Sequence, residues 1–260
     1  MDVLTQHLWS IPPVTRTLFA GMFIESLLVH GGFLSFYRVL FHSPFIFRWP
    51  PQLWRLVTPY LLTGGGLGFL FDLYLLYNYG TGLELDSPRF INPGDFAVYV
   101  AFVWVAIMLP AGFLLKAYVF TRALLSAFVY AYAQDNRGRR VTFFIMQIPV
   151  ELLPWVMLFV TFLSAGWEAV LLECCGIFAA HLYDFLTRLY PTFGGGTNLI
   201  RTPDFVRRCF HPRQPVAAHG GYRFFPPANR PAPQPQQRTG IFSSGSSWSQ
   251  RGPGRRLGGD

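Results

Sequence analysis

Apolar runs of about 20 residues dominate the chain, and they are the feature that most limits what it can fold into. Scanning between charged and Pro/Gly-rich breaks places them near 14–34, 56–79, 95–115, 117–134, 142–163 and 166–186. A hydrocarbon core about 30 Å thick is crossed by about 20 residues of helix, because a helix meets its own backbone hydrogen bonds where no water can. Six such spans predict an all-α polytopic membrane protein. Composition agrees: 52% of residues are hydrophobic and only 13% charged, against about 25% charged in soluble domains. The third and fourth runs are parted by little more than Lys116 and its neighbours, and the break at Pro110 and Gly112 predicts a tight hairpin there rather than one long helix.

Charge is divided sharply along the sequence. Residues 1–186 hold 10 basic and 11 acidic side chains, a net of −1, whereas residues 187–260 hold 11 arginines against Asp204 and Asp260, a net of +9. Six spans put both termini on one side of the membrane. Three arginines in Gln134–Arg140, and the arginine-rich tail after the last span, assign that side to the cytosol. Arg38, Arg48 and Arg55 in the first opposite-side loop oppose the rule, so something other than topology requires them.

From Pro191 the composition turns to Gly, Pro, Ser, Gln and Arg, which leaves almost nothing to bury. This predicts two regions, a membrane domain over 1–190 and a mostly disordered basic cytosolic tail over 191–260. Within the tail, Thr202–Phe210 places Phe205, Val206, Cys209 and Phe210 on one face, as a short interfacial helix behind a Thr cap would. A loosely ordered linker drawn to anionic lipid by its charge is the other reading of that stretch.

The adjacent Cys174 and Cys175, with Cys209 in the tail, cannot make a disulfide framework. No Asn-x-Ser/Thr sequon occurs. The opening MDVLTQHLWSIPPVTR has neither a charged leader nor a small-residue cleavage site, so insertion is expected to begin with an internal helix. No cofactor, metal or nucleotide-binding signature stands out, and the Arg/Gly content of the tail is too sparse to favour nucleic acid.

Glu25, His30, Asp72, Glu151, Glu173, His181 and Asp184 fall within or at the ends of the spans. An ionisable group facing lipid at mid-depth is costly, so these groups should face the bundle interior, water or the headgroups. Asp72, Glu151 and His181 are the candidates for a polar groove, and Asp184 and His30 sit near helix ends. Trp54 and Arg55 precede the second span. The Trp suits headgroup level, and the Arg suits bonds to phosphates or loop carbonyls that hold the first loop at the bilayer, with generic snorkelling as the alternative. In the sixth span Gly176 and Ala180 form a small-xxx-small face for close helix packing, followed directly by His181.

The WRLVTP stretch followed by glycines, and the Gly176/Ala180 face followed by His181, together resemble the rhomboid superfamily. That resemblance implies a rhomboid-like bundle of six transmembrane helices, and it raises the question of proteolysis. Rhomboid catalysis uses a serine in a Gly-x-Ser context at the start of the fourth span, near the sixth-span histidine. Here the matching segment is VFTRALLSAFVYAYAQ, with Thr121 near the nucleophile position, Val119 two residues before it and Ser126 more than a turn deeper. The family's HGG-x-x-H-x-x-x-N, which helps bind the oxyanion, is replaced by Thr63-Gly64-Gly65, Gly68 and Asp72. His181 is therefore expected to pack or line a polar cavity, and the chain to be a pseudoprotease without catalytic residues. A divergent serine protease using Ser126 or Thr121 is the enzyme alternative. A proton-coupled transporter using Asp72, Glu151 and Glu173 is the third, although no inverted repeat is visible.

The first-loop WR, the fifth-span Ile148-Pro149 and Leu153-Pro154-Trp155, the stretch Ala180-His181-Leu182-Tyr183 and the following YPTFGGGTNLIRTPDFVRRCF are similar to derlins over residues 1–210. The resemblance implies an endoplasmic-reticulum pseudoprotease that helps move misfolded luminal or membrane proteins to the cytosol for degradation, beside a membrane ubiquitin ligase complex. Whether it does so alone or as a homo- or hetero-oligomer is left open. The terminal Gly252-Pro253-Gly254-Arg255-Arg256-Leu257-Gly258-Gly259 resembles the SHP box of derlins, which docks on a valosin-containing-protein-type AAA ATPase. The glycines allow close backbone approach, Leu257 offers an anchor and the arginines offer charge. Trp248 lies four residues ahead of the first of these glycines, farther than the usual aromatic, and an ordinary Arg/Gly end is the alternative.

Overall fold

The computed structural model describes residues 10–46, 49, 51–143, 146–193, 200 and 202–210. Its contacts gather into one unit, Met1–Gln214, and a second, Pro215–Asp260, that lies wholly outside the described residues. The terminal motif at 252–259 and most of the predicted disordered tail lie outside them too.

Six main helical segments follow one another. α1 is Pro13–His30, with Pro13 at its first position, where no N–H is needed. α2 starts at Leu67–Leu75 and continues through a π-helical turn, Leu76–Gly80, into Thr81–Asp86. α3 is Asp95–Ile107, carried on by π-helical Met108–Leu114. α4 is Thr121–Asp135, α5 is Leu153–Ala165, and α6 is Trp167–Asp184 with its continuations Phe185–Leu189 and Tyr190–Phe193. A short α7, Asp204–Cys209, closes the described chain.

Three expected boundaries shift, each for a local reason. The second run does not become helix at 56. Leu53–Leu56 and Thr58–Tyr60 are single 3₁₀ turns, and the glycines ahead of Leu67, with Gly66 at φ +60°, delay the helix. The fifth run does not begin as helix at 142. Arg140–Phe143 (β1) and Met146–Pro149 (β2) pair antiparallel in the register Val141↔Ile148 and Thr142↔Gln147, and the helix starts only after Pro149. β-branched residues on a short apolar run favour the extended form, so the fold carries one hairpin that an all-α reading omits. The hairpin between the third and fourth runs exists, but helix passes through Pro110 as a π-helical stretch and stops at Leu115, where Lys116 takes φ +53°.

α4 is the central helix. Ala123, Leu124, Leu125, Ala127, Phe128, Val129 and Ala131 are all buried, and α6 packs along it more closely than any other element. Around it polar residues join the apolar core, and much of the exterior is apolar as well. Thr15, Ser26, Asp72, Thr121, Ser126, Thr161 and Glu173 are buried, while Ile24, Leu70, Val105, Leu109, Phe159, Leu163 and Phe178 are exposed. Apolar exteriors on this scale match a lipid solvent. Asp95–Leu114 and Trp167–Phe193 are each long and apolar enough to cross a membrane.

Candidate functional site

The first loop is organised by Arg55. Its guanidinium donates to the Leu40 carbonyl at 2.6 Å, the Tyr37 carbonyl at 2.9 Å and Gln52 Oε1 at 2.6 Å, and lies 5.1 Å from the Phe45 ring centroid. Trp54 Nε1 donates to the Arg38 carbonyl at 3.3 Å, and Thr58 Oγ1 to the Val39 carbonyl at 2.8 Å. Residues 37–40 would otherwise present a row of bare carbonyls, and three side chains of the WRLVT segment, Trp54, Arg55 and Thr58, take them up. Arg55 is buried, which lowers its guanidinium pKa from the ordinary value, yet the group stays cationic. Phe41 continues the loop into the bundle, where a Cβ on Gly112 would come within 2.6 Å of its ring.

Gly176 lies where α6 crosses α4, with the Ala123 carbonyl 1.9 Å from where its Cβ would be, and Ala180 one turn on is fully buried. His181 is on the exposed side, its Nδ1 3.1 Å from the Tyr130 hydroxyl. Thr121 Oγ1 donates to the Leu62 carbonyl at 2.5 Å, and Ser126 Oγ lies 2.8 Å from the Glu173 carbonyl. Both hydroxyls therefore serve backbone groups on neighbouring elements, and the partner of His181 is a tyrosine.

Asp72, Glu151 and His181 do not share one site. Asp72 is buried on α2, with Oδ2 accepting from the Gly64 N–H at 3.2 Å. Glu151 is exposed before α5 and accepts from the Gly138 N–H at 3.0 Å. Instead Asp72 lines a small cavity of about 20 Å³ with Arg122, Thr161 and Glu173. Thr161 Oγ1 donates to Glu173 Oε1 at 2.7 Å, and Arg122 Nη1 lies 3.8 Å from the same oxygen. Arg122 and Thr161 escape a search for isolated charges. The available signal was an arginine one residue inside α4 and two carboxylates placed at similar depth on neighbouring segments.

A second polar group, also missed, ties helix ends together. Arg89 Nε lies 2.5 Å from Asp135 Oδ1 and its Nη1 3.2 Å from Asp184 Oδ1. Ser87 Oγ donates to Asp135 Oδ2 at 2.5 Å, and Arg188 lies 3.6 Å from Asp184. Glu84 accepts from the N–H groups of Val14 at 3.1 Å and Thr15 at 2.7 Å, and from Thr15 Oγ1 at 2.8 Å, so that it caps α1. His30 Nε2 lies 3.2 Å from the Thr63 carbonyl. Val206 of α7 and the following Phe210 lie against Gly94 just ahead of α3, Thr202 bonds Asp95, and Phe205 is exposed. Among the described residues no group of three metal-ligating side chains occurs.

A helical bundle with polar groups set into its core, an apolar exterior and a first loop fastened by Trp54 and Arg55 is the class that fold and site define. The Der1-like family profile matches residues 11–204. Human Derlin-1 is 33% identical over 257 residues, 96% of each chain, and Derlin-1 of Caenorhabditis elegans is 31% identical over 232 residues, 84% of this chain and 88% of that one. A probable derlin-1 homolog of Dictyostelium discoideum is 28% identical over 214 residues, 81% and 86% of the two chains. The chain belongs to the Der1-like family.

Proposed function

We propose that this chain is a catalytically inactive, rhomboid-like component of endoplasmic-reticulum protein degradation, with six membrane spans and both termini in the cytosol. It aids the passage of misfolded luminal or membrane proteins into the cytosol, beside a membrane ubiquitin ligase. The observation that carries the mechanism is the pairing of short helices with a buried polar cluster. α4 has 15 residues and α5 has 13, lengths of about 22 Å and about 20 Å, against a hydrocarbon core of about 30 Å. Mismatch of this kind is relieved in part by thinning the bilayer. Asp72, Arg122, Thr161 and Glu173 lie between these helices and their neighbours, so the short helices also flank the place where a polar segment finds partners.

A groove of this kind supplies no force. The motif Gly252, Gly254, Arg255, Arg256, Leu257, Gly258 and Gly259 supports recruitment of a valosin-containing-protein-type AAA ATPase to do the pulling. The hydrogen bonds of Thr121 and Ser126 to backbone carbonyls, and of His181 to Tyr130, favour this reading over a serine protease. The test is the turnover of a misfolded luminal client in cells lacking the chain, restored either with the full sequence or with a version ending at Arg251, with ATPase co-purification measured alongside. Full-length protein should restore turnover and retain the ATPase, and the shortened chain should lose both. Equal ATPase recovery from the two would remove the terminal motif from the mechanism, and unchanged client lifetime with the full sequence would remove the mechanism itself.

A further inference from the structure

α2 and α5 each pack against α4 but scarcely touch one another, and both line the cavity formed with Phe71, Asp72, Arg122, Val160, Thr161 and Glu173. Two carboxyl groups face one guanidinium there. Arg122 is partly exposed and approaches Glu173 only at 3.8 Å through Oε1, the oxygen that Thr161 also holds. Glu173 Oε2 has no partner, although the side chain is only 2% exposed. A buried carboxylate oxygen left without a donor is costly, and a donor that arrives from outside removes that cost.

We propose that this crevice receives the ammonium head of a lysine carried by a client's transmembrane segment, bound between Glu173 Oε2 and Asp72. The inference rests on the degradation reading above and names its substrate class. Hydrogen bonding selects the ligand: two carboxyl groups against one guanidinium leave acceptors in excess, which suits an ammonium with three N–H donors and no acceptor rather than a phosphate, and an ammonium is costly when it faces lipid alone. Size selects among cations. A cavity of about 20 Å³ holds one group the size of a water, which fits an ammonium and is too small for a planar guanidinium. A metal ion is a poor fit, because among the described residues no third acidic, His or Cys ligand joins the pair. A client helix would reach it between α2 and α5, the two lining helices that make few contacts with one another.

The test uses single-span segments with a central Lys, Arg, Gln or Leu and a photoreactive residue one turn away, presented to the full-length protein in microsomes. The Lys segment should cross-link about tenfold more than the Gln or Leu segments and clearly more than Arg. Glu173→Gln with Asp72→Asn should reduce Lys to the Gln level while leaving Gln cross-linking unchanged, which reports an intact fold, and Glu173→Asp should restore part of the preference. Equal cross-linking of Lys and Gln, no cross-linking of Lys, or a preference that survives the double substitution would each overturn the proposal. A luminal client without a membrane segment separates the two levels. If its turnover depends on the chain while no Lys preference exists, only the lysine site fails; if its turnover is independent of the chain, the degradation reading fails.

Discussion

The Cα of Gly176 sits so close to the carbonyl of Ala123 that a methyl group added to it would stand 1.9 Å from that oxygen and 2.3 Å from Ser126 Oγ. α4 and α6 meet backbone to backbone at this point, and the Ser126 hydroxyl, bonded to the Glu173 carbonyl, closes the contact from the side. Gly176→Ala should therefore separate the two helices and cost roughly 1–3 kcal/mol, with Gly176→Leu worse. Thermal unfolding in detergent reads the loss. A melting temperature unchanged in Gly176→Ala would show that the crossing has slack.

Arg55 should not be replaceable by lysine. Its fork reaches two carbonyls and Gln52 Oε1 from one planar group, whereas an ammonium on a flexible stem has neither the spread nor the geometry. Arg55→Lys should release Tyr37–Leu40, seen as faster backbone hydrogen exchange in those residues with α4 and α6 unaffected. Arg55→Ala should do the same and cost roughly 1–3 kcal/mol by leaving the buried Leu40 carbonyl without its donor. Exchange at 37–40 that matches the unsubstituted chain would mean that Trp54 and Thr58 suffice.

The contrast between Arg55 and Arg122 shows what was legible in the sequence. Arg55 stood beside Trp54 in a loop where arginine opposed the topology rule, so a role in holding that loop was legible, while the choice between phosphates and loop carbonyls was not. Gly176 and Ala180 were legible because their spacing alone brings small residues to one face of a helix. Arg122 and Thr161 were not, since their role exists only once α4, α5 and α6 are packed. Nor were the strands at 140–149, where a run apolar enough for the start of a span pairs with itself before Pro149 permits a helix. Asp72, Glu151 and His181 shared a property, charge or polarity within a span, and property does not fix the direction a side chain faces.

Glu84 should act as a cap supplied from a distance. Pro12 leaves α1 without a side-chain cap of its own, and both carboxylate oxygens of Glu84 meet the first free N–H groups from 69 and 70 residues away. Glu84→Ala should cost about 1–2 kcal/mol, and Glu84→Gln less, since one oxygen acceptor remains. Thr15→Ala removes only the hydroxyl contact, so its cost should vanish in the Glu84→Ala background, and a double-substitution cycle in thermal unfolding separates that bond from the backbone cap.

Arg89 and Asp135 make the sharpest energetic prediction. The two side chains are 4% and 1% exposed and their charged atoms lie 2.5 Å apart, while Asp184 and Arg188 surround them at 3.2–3.8 Å. Removing one partner strands a buried charge, so Arg89→Met alone or Asp135→Leu alone should each cost roughly 3–5 kcal/mol. The double substitution removes the cost of desolvating both charges as well as their attraction, and its loss should be smaller than the sum of the two singles by at least about 1 kcal/mol. Ser87 has its hydroxyl on Asp135 at 2.5 Å, so Ser87→Ala should be felt through Asp135 and become silent in the Asp135→Leu background. Losses that add without coupling would show that the ends of α4 and α6 are held by packing around Tyr99 and Tyr183 instead, whose rings stand 4.9 Å apart beside this network.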